Sequence, residues 1–343
     1  MTITNDITAA ITSIIDRTAP DKVIAIADDN TIDLCLPHLS MPGYIEHHTI
    51  VVPHGDEHKA IDTVQSLWDR LMDCGATRHS LTLNIGGGMV TDIGGFAAAT
   101  YMRGIPFVNI PTTLLATVDA SAGGKTGINY RGMKNQIGVF ASPVDTVFYP
   151  PFLHSLPFDQ ILSGYAEMVK HALIADKQLL NQTLAFDLDT WSKDSDFTTL
   201  IERSIAIKAD IVAADPNEHG QRQALNFGHT IGHALEAWSH ETAHPLPHGY
   251  AVMWGMVAEL YLSMITLDLD DKIVRRVTAF ARHHYPTLPL SCKQYDRLFD
   301  LMLHDKKNHH NQINFCLLSD IGHPTLNQTP THDQILEALD FLQ

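Results

Sequence analysis

The stretch LTLNIGGGMVTDIGGF, residues 81–96, constrains the fold more than any other part of the chain. An apolar strand-like run goes straight through Gly86, Gly87 and Gly88 into a segment of helical character. A strand that turns on glycines into a helix opens a crossover unit, and crossover units build parallel sheets. The same rhythm continues on both sides. DKVIAIADD (21–29), HHTIVVP (47–53) and PFVNIPTT (106–113) read as strands, while HKAIDTVQSLWDRLMDCGA (58–76) and MVTDIGGFAAATYMRG (89–104) read as helices. Past the Pro-punctuated PPFLHSLPF (150–158) the pattern is helical almost throughout. The expected architecture is an α/β Rossmann-like domain over residues 1–154 and an all-α domain over 155–343, with the boundary near His154.

In parallel α/β sheets a glycine turn at a strand end, leading into a helix, can cradle a pyrophosphate. The dinucleotide fingerprint GxGxxG is not met, because Thr91 holds its third position. A tight turn without ligand also favours glycine, so this stretch alone leaves ligand and packing about evenly matched. The first strand ends in Asp28, Asp29 and Asn30, where acids could hold ribose hydroxyls, and the second in HGDEHK, with Asp56 and Lys59. Two polar clusters beside a glycine turn favour a nucleotide.

The formal net charge of −16 disfavours nucleic acid and acidic membranes as partners, since both reward a basic face. An anionic ligand would need cations gathered locally. Residues 112–136, TTLLATVDASAGGKTGINYRGMKNQ, supply them: Lys125, Arg131, Lys134 and Asn135 with one acid, Asp119. GGKT there lacks the first glycine of the Walker form, which disfavours a P-loop kinase; the plain alternative is a solvated hairpin. Four scattered cysteines without a CxxC pair read as reduced thiols. No membrane-length apolar run and no signal-peptide layout is expected, which points to the cytoplasm.

Three helical segments carry polar residues on apolar faces. SGYAEMVKHALIAD (163–176) holds Glu167, Lys170 and His171. In FTTLIERSIAIKADIVAAD (197–215), Lys208 falls on the stripe of Ile201, Ile205 and Val212, where it either snorkels to water or meets a buried anion. GQRQALNFGHTIGHALEAW (220–238) places Arg222, Asn226, His229 and His233 along one predicted polar stripe. Two histidines four apart suit a metal, with Glu167, His244 and His248 as further ligands, and a glutamate with two histidines leaves an open position for substrate. Spacing does not choose the histidine pair.

The motifs GGGMVTDIGGF, YMRG, NIPTTLLATVDASAGGKTGIN, KNQIGVF, GYAEMVKHALI, GQRQALNFGHTIGHALE, LPHGYAVMWGM and DKKN, in this order over nearly the whole chain, resemble the 3-dehydroquinate synthase family. The resemblance implies an NAD-binding first domain, a metal- and substrate-binding helical second domain, an active site between them, zinc or cobalt, a small-molecule substrate and a homodimer. It implies Glu167, His229 and His248 as metal ligands. NAD contacts would fall on Asp28, Asn30, Asp56, Lys59, Gly87, Gly88, Asp92, Thr112, Thr113, Asp119, Lys125, Lys134, Phe152, Ser155, Leu156 and Gln160. Substrate contacts would fall on Arg103, Asp119, Lys125, Lys134, Asn135, Lys170, Lys208, Arg222, Asn226, His233 and a lysine of DKK, taken as Lys307. Tyr250 stands where the family has glutamate, Asp56, Ser155 and Gln160 replace Glu, Thr and Glu, and Asn311 replaces a glycine.

The implied activity is the shikimate-pathway conversion of 3-deoxy-D-arabino-heptulosonate 7-phosphate to 3-dehydroquinate and phosphate, with NAD recycled in each turnover. Three rivals are a cyclase acting on a neutral seven-carbon sugar phosphate, a metal-dependent polyol dehydrogenase, and a non-catalytic nucleotide-binding regulator. The first would have no carboxylate for Lys208 and Arg222, the second no need of the 125–135 cations, and the third no need of a complete metal triad.

Overall fold

The computed structural model describes residues 1–343 except 122, 132, 193 and 304–312. It comprises two units, Met1–Pro157 and Phe158–Gln343. The divide between them follows Pro157, and the turn Pro150–Ser155 belongs to the first unit. Phe152 there is buried in that unit's core, edge-on to Tyr149 with ring centroids 5.0 Å apart.

The first unit runs β1 (Thr2–Ile3), α1 (Ile7–Thr18), β2 (Lys22–Asp28), α2 (Thr31–Leu34), β3 (Glu46–Val52), α3 (Ile61–Asp73), β4 (Leu81–Gly86), α4 (Gly88–Thr100), β5 (Phe107–Pro111), β6 (Lys125–Tyr130), β7 (Met133–Phe140) and β8 (Asp145–Phe148). Six strands form one sheet in the order β1-β8-β5-β4-β2-β3, with every neighbouring pair parallel. Strand alternation sends residues to two faces. Val23 and Ala25 of β2 join Ile7, Ile11, Ile14 and Ile15 of α1 in one core. Ile24 and Ile26 join Val64, Leu67 and Leu71 of α3 and Val90, Ile93 and Phe96 of α4 in the other. The strands and helices expected between residues 21 and 113 are present within a few residues, with α3 starting at Ile61 rather than His58. The 112–136 segment resolves into a π-helical turn, Ala116–Ala120, followed by the antiparallel ribbon of β6 and β7.

The second unit runs α5 (Phe158–Ala175), α6 (Lys177–Ala185), α7 (Ser195–Ala214), α8 (His229–Ser239), α9 (His248–Leu267), α10 (Asp271–His284), α11 (Tyr295–Leu303), β9 (Phe315–Asp320), β10 (His323–Gln328) and α12 (His332–Asp340). It is helical but not all-α, since β9 and β10 pair antiparallel. Two further expectations are corrected here. The first is that no run is of membrane length: α9 is long and apolar enough by composition, with mean hydropathy 1.4, yet 72% of that window is buried within the protein. It is the central core helix of its unit.

The second correction concerns residues 220–238, which do not form one helix. A 3-10 turn, Gln221–Asn226, ends at Phe227; Gly228 takes φ 78°, and α8 starts at His229. The polar stripe is therefore broken between Asn226 and His229. Gly228 combines a left-handed conformation with close packing, because a Cβ there would stand 2.3 Å from Met256 Cγ on α9.

Asp176 caps α6 by accepting from the N–H groups of Gln178 and Leu179, both at 2.9 Å, and pairs with Arg203 Nη2 at 2.5 Å. Partial burial alone would raise its pKa; the Leu179 N–H and the Arg203 guanidinium outweigh that and hold it below the usual carboxylate value. Asp176→Ala is expected to cost about 1–2 kcal/mol in denaturant unfolding at neutral pH. A depressed carboxylate stabilises above its unfolded pKa and loses that contribution as pH falls through the folded one. The difference between parent and variant should therefore shrink below about pH 4.

Candidate functional site

Glu167, on the inner face of α5, is fully buried. Its Oε1 lies 3.6 Å from His229 Nε2, at the first position of α8, and 3.6 Å from His248 Nε2, at the first position of α9. Neither carboxylate oxygen has a hydrogen-bond partner among the described residues, although Oε2 is in ion-pair contact with Lys170 Nζ one turn along. A buried carboxylate oxygen with no donor, facing two ring nitrogens, is what a cation would satisfy. Three ligands each about 2.0–2.1 Å from a tetrahedral ion stand roughly 3.4 Å apart, close to these separations.

The other ring nitrogens fix the orientation. His229 Nδ1 is 3.1 Å from the carbonyl of Phe227, and His248 Nδ1 is 3.1 Å from Glu236 Oε2. Each Nδ1–H thus has an acceptor, which leaves Nε2 as the nitrogen of each ring that a metal would take, displacing any proton there. Burial, helped by the nearby Lys170 charge, holds His229 well below the usual histidine range, so it is neutral. Burial opposes charging His248 too, but Glu236 and Glu167 overcome it and raise it to about 9. Glu167 itself is held well below the carboxylate range, the cost of burial being exceeded by Lys170, His229 and His248. The donor set fits a divalent ion of the zinc or cobalt type.

His233, one turn into α8, is half-buried beside this group; its ring centroid is 5.2 Å from that of His229 and 6.0 Å from that of His248. Among the described residues its nitrogens do not join the converging set, which is made of a Glu167 carboxylate oxygen and one ring nitrogen each of His229 and His248. Lys208 of α7 and Arg222 are buried at 5% and 3% exposure, so Lys208 does not snorkel. Arg222 Nη1 donates to the carbonyl of Pro216 at 2.6 Å, and Asn226 Nδ2 to Glu218 Oε1 at 3.1 Å. The 3-10 turn carrying Arg222 and Asn226 packs on α7. Tyr250 is buried edge-on to Tyr285, centroids 5.1 Å apart. Gln160 is half-buried in the first turns of α5. Lys307, with Asp305, Lys306 and Asn311, lies outside the described residues.

In the first unit, Gly87 is the N-cap of α4 and offers that helix no capping side chain. The three glycines differ in cause. A Cβ on Gly86 would stand 2.5 Å from Val90 Cβ, so its smallness is required by the helix itself and needs no ligand. At Gly87 and Gly88 the nearest atoms, Thr113 Cγ2 and Ala120 Cβ, would be 3.1 Å away, tight but not prohibitive. Asp28 Oδ1 is committed to the N–H groups of Asn30 at 2.9 Å and Thr31 at 2.7 Å, shaping the loop after β2. Thr112 is buried beside Cys35, whose thiol is pushed up to about 12 by burial, then by Asp28. Thr113 Oγ1 accepts from the N–H of Ala116 at 3.1 Å.

A second network ties three segments together. Lys59 Nζ reaches Asp92 Oδ2 in the first turns of α4 and Asn135 Oδ1 of β7, both at 2.5 Å. Asp56 Oδ2 accepts from Asn129 Nδ2 at 3.0 Å and faces Lys134 Nζ at 3.5 Å. Asn129, which the sequence did not single out, also accepts from the N–H of Asn135 at 3.1 Å and so pins the ribbon to the loop after β3. Lys125 and Lys134 are exposed, Asp119 lies half-buried in the π-helical turn, and Arg103 is exposed at φ 70° after α4. Ser155 Oγ donates to Phe152 O at 3.0 Å beside half-buried Leu156.

A parallel sheet with an open helix start at its glycine turn, joined to a helical unit holding a buried carboxylate against two histidines, defines a metal-dependent, nucleotide-using enzyme. The chain belongs to the 3-dehydroquinate synthase family: residues 49–163 match "3-dehydroquinate synthase N-terminal" and residues 164–308 match "3-dehydroquinate synthase C-terminal". It is 45% identical over 322 residues to a 3-dehydroquinate synthase of Parabacteroides distasonis, covering 94% of this chain and 91% of that one. A Listeria innocua 3-dehydroquinate synthase is 41% identical over 309 residues, covering 89% and 82%. Among solved structures, the 2-epi-5-epi-valiolone synthase ValA of Streptomyces hygroscopicus, with NAD+ and Zn2+ bound, superposes with TM-score 0.88 at 26% identity over 99% of this chain and 95% of that one. A 2-deoxy-scyllo-inosose synthase complexed with carbaglucose-6-phosphate, NAD+ and Co2+ gives TM-score 0.83 at 25% identity over 98% and 95%.

Proposed function

We propose that the chain converts 3-deoxy-D-arabino-heptulosonate 7-phosphate to 3-dehydroquinate and inorganic phosphate. The observation that carries this reading is the burial of Lys208 and Arg222 in the same unit as the triad of Glu167, His229 and His248. A substrate carboxylate gives such cations an anionic group that the neutral sugar lacks at that end. Glu167, His229 and His248 hold the divalent ion. Asp28, Asn30, Asp56, Lys59, Gly87, Gly88, Asp92, Thr112 and Thr113, with the 152–160 segment, hold NAD. Bound, these two groups supply a transient oxidation of the substrate carbinol and the acidification of its hydroxyl.

The chain's own residues bind and orient. Arg103, Lys125, Lys134 and Asn135 take the phosphate, which leaves once the carbon beside the transient ketone loses its proton. Lys170, Asn226 and His233 position the hydroxyls and move protons at them, and Asp119 and Lys307 complete the substrate contacts. The same resemblance supports a homodimer in the cytoplasm.

Phosphate release from the heptulosonate phosphate tests the reading. Protein stripped of metal, then given zinc or cobalt and a catalytic trace of NAD, should release stoichiometric phosphate with no lasting NADH absorbance. Accumulating NADH would make it a dehydrogenase. Turnover of sedoheptulose 7-phosphate alone would remove the carboxylate role of Lys208 and Arg222.

A further inference from the structure

Two glutamates outside the predicted site cross between α8 and α9. Glu236, near the end of α8, accepts from the ring of His248 at the start of α9. In the other direction, Glu259 of α9 reaches the start of α8, where His229 sits. Glu259 is fully buried within the apolar run VMWGMVAELYL of α9. Its Oε2 accepts from the N–H of Gly228 at 2.6 Å, and its Oε1 from those of Thr230 at 3.0 Å and Ile231 at 3.1 Å.

A helix leaves its first N–H groups without intrahelical acceptors, and an N-cap side chain normally serves them. Here the N-cap is Gly228, which has no side chain, because Met256 of α9 leaves no room for one. The cap therefore comes from the neighbouring helix. One carboxylate holds the N–H groups of the residues on both sides of His229 and so fixes the Cα–Cβ direction of that ligand. The Phe227 carbonyl then sets the rotation of its ring. A negative charge at a helix N-terminus is also favourable in itself.

We propose that Glu259 is a positioning residue for the metal centre, holding His229 in register with Glu167 and His248 by capping α8 from α9. The inference rests on the metal reading of those three residues.

The test measures zinc affinity of the metal-free full-length chain by chelator competition for the parent, Glu259→Gln, Glu259→Asp and Glu167→Gln, with unfolding midpoints of the metal-free proteins alongside. Asp176→Ala serves as a control that loses a helix cap away from the triad. Glu259→Gln is expected to weaken zinc binding about 10–100-fold, the usual effect of removing a group that orients a ligand. Glu259→Asp should recover part of the loss, and the control should bind zinc like the parent. Zinc affinity of Glu259→Gln within threefold of the parent, whatever its unfolding midpoint, would overturn the proposal. So would a Glu259→Gln protein that stays unfolded in saturating zinc, which would make the residue a general core group. If the parent binds zinc no better than Glu167→Gln, the metal reading itself fails, an outcome distinct from the other two.

Discussion

Glu167→Gln should abolish the activity more completely than any other single isosteric change, lowering phosphate release by on the order of 10³-fold or more at any attainable zinc concentration. The substitution keeps the side chain's volume, so the packing of α5 is retained. What it removes is the one anion of the proposed metal triad and an ion-pair partner of a buried lysine. Lys170 is 1% exposed and its ammonium contacts Glu167 directly. Removing one partner of a buried ion pair costs about 3–5 kcal/mol generally. The variant should therefore both fail to retain zinc in equilibrium dialysis and unfold at lower denaturant than the metal-free parent. NAD binding, assigned mostly to the other unit, should be unchanged by fluorescence titration. A variant that holds zinc as tightly as the parent would remove Glu167 from the ligand set.

Gly255→Ala should destabilise the protein by about 3 kcal/mol or more, at or beyond the upper end of what added methyl groups cost in packed interiors. A Cβ at this position would stand 2.0 Å from the carbonyl oxygen of Gly228 and 2.6 Å from the Gly232 nitrogen, both backbone atoms that no rotamer change can move aside. Helices α8 and α9 would have to separate, and they carry His229 and His248, the two histidines proposed as ligands. A loss of zinc affinity should thus accompany the loss of stability in urea melts, although residue 255 lies two turns from His248. Unchanged melting would mean that the two helices can slide past the added methyl.

The layered α/β unit was legible because strands buried on both faces produce apolar runs that glycine turns and amphipathic helices punctuate, and that signal is local. The metal group was half legible. Glu167 stands out as an acid within an apolar helix, but spacing could not choose between His233 and His248, because the choice depends on how α9 returns against α8. The continuous stripe through Arg222 and His233 failed for a related reason: helical periodicity says nothing of a residue such as Gly228, whose φ of 78° turns the chain between two short helices. Glu236 and Glu259 acquire a role only once the neighbour that each one serves is in place. A signal for Glu259 did exist, since it interrupts the apolar run VMWGMVAELYL just as Lys208 interrupts its own stripe.

Other features could not have been seen along the chain at all. Asn84 and Asn109 are register partners on adjacent strands, and their side chains hydrogen-bond at 2.9 Å beneath α4. The helix approaches so closely there that a Cβ on Gly94 would meet Asn84 Oδ1 at 2.3 Å. Sequence shows two asparagines 25 residues apart and a glycine, but not their superposition.

The contact between Lys170 and Glu167 bears on the order of events after synthesis. A buried carboxylate opposes packing unless a proton, a cation or a positive side chain neutralises it. In this chain the lysine is covalently present from the start and neutralises the carboxylate within one helical turn. That pairing lowers the cost of burying Glu167 in the metal-free chain, so packing of the helical unit is expected to precede metal binding at the proposed site.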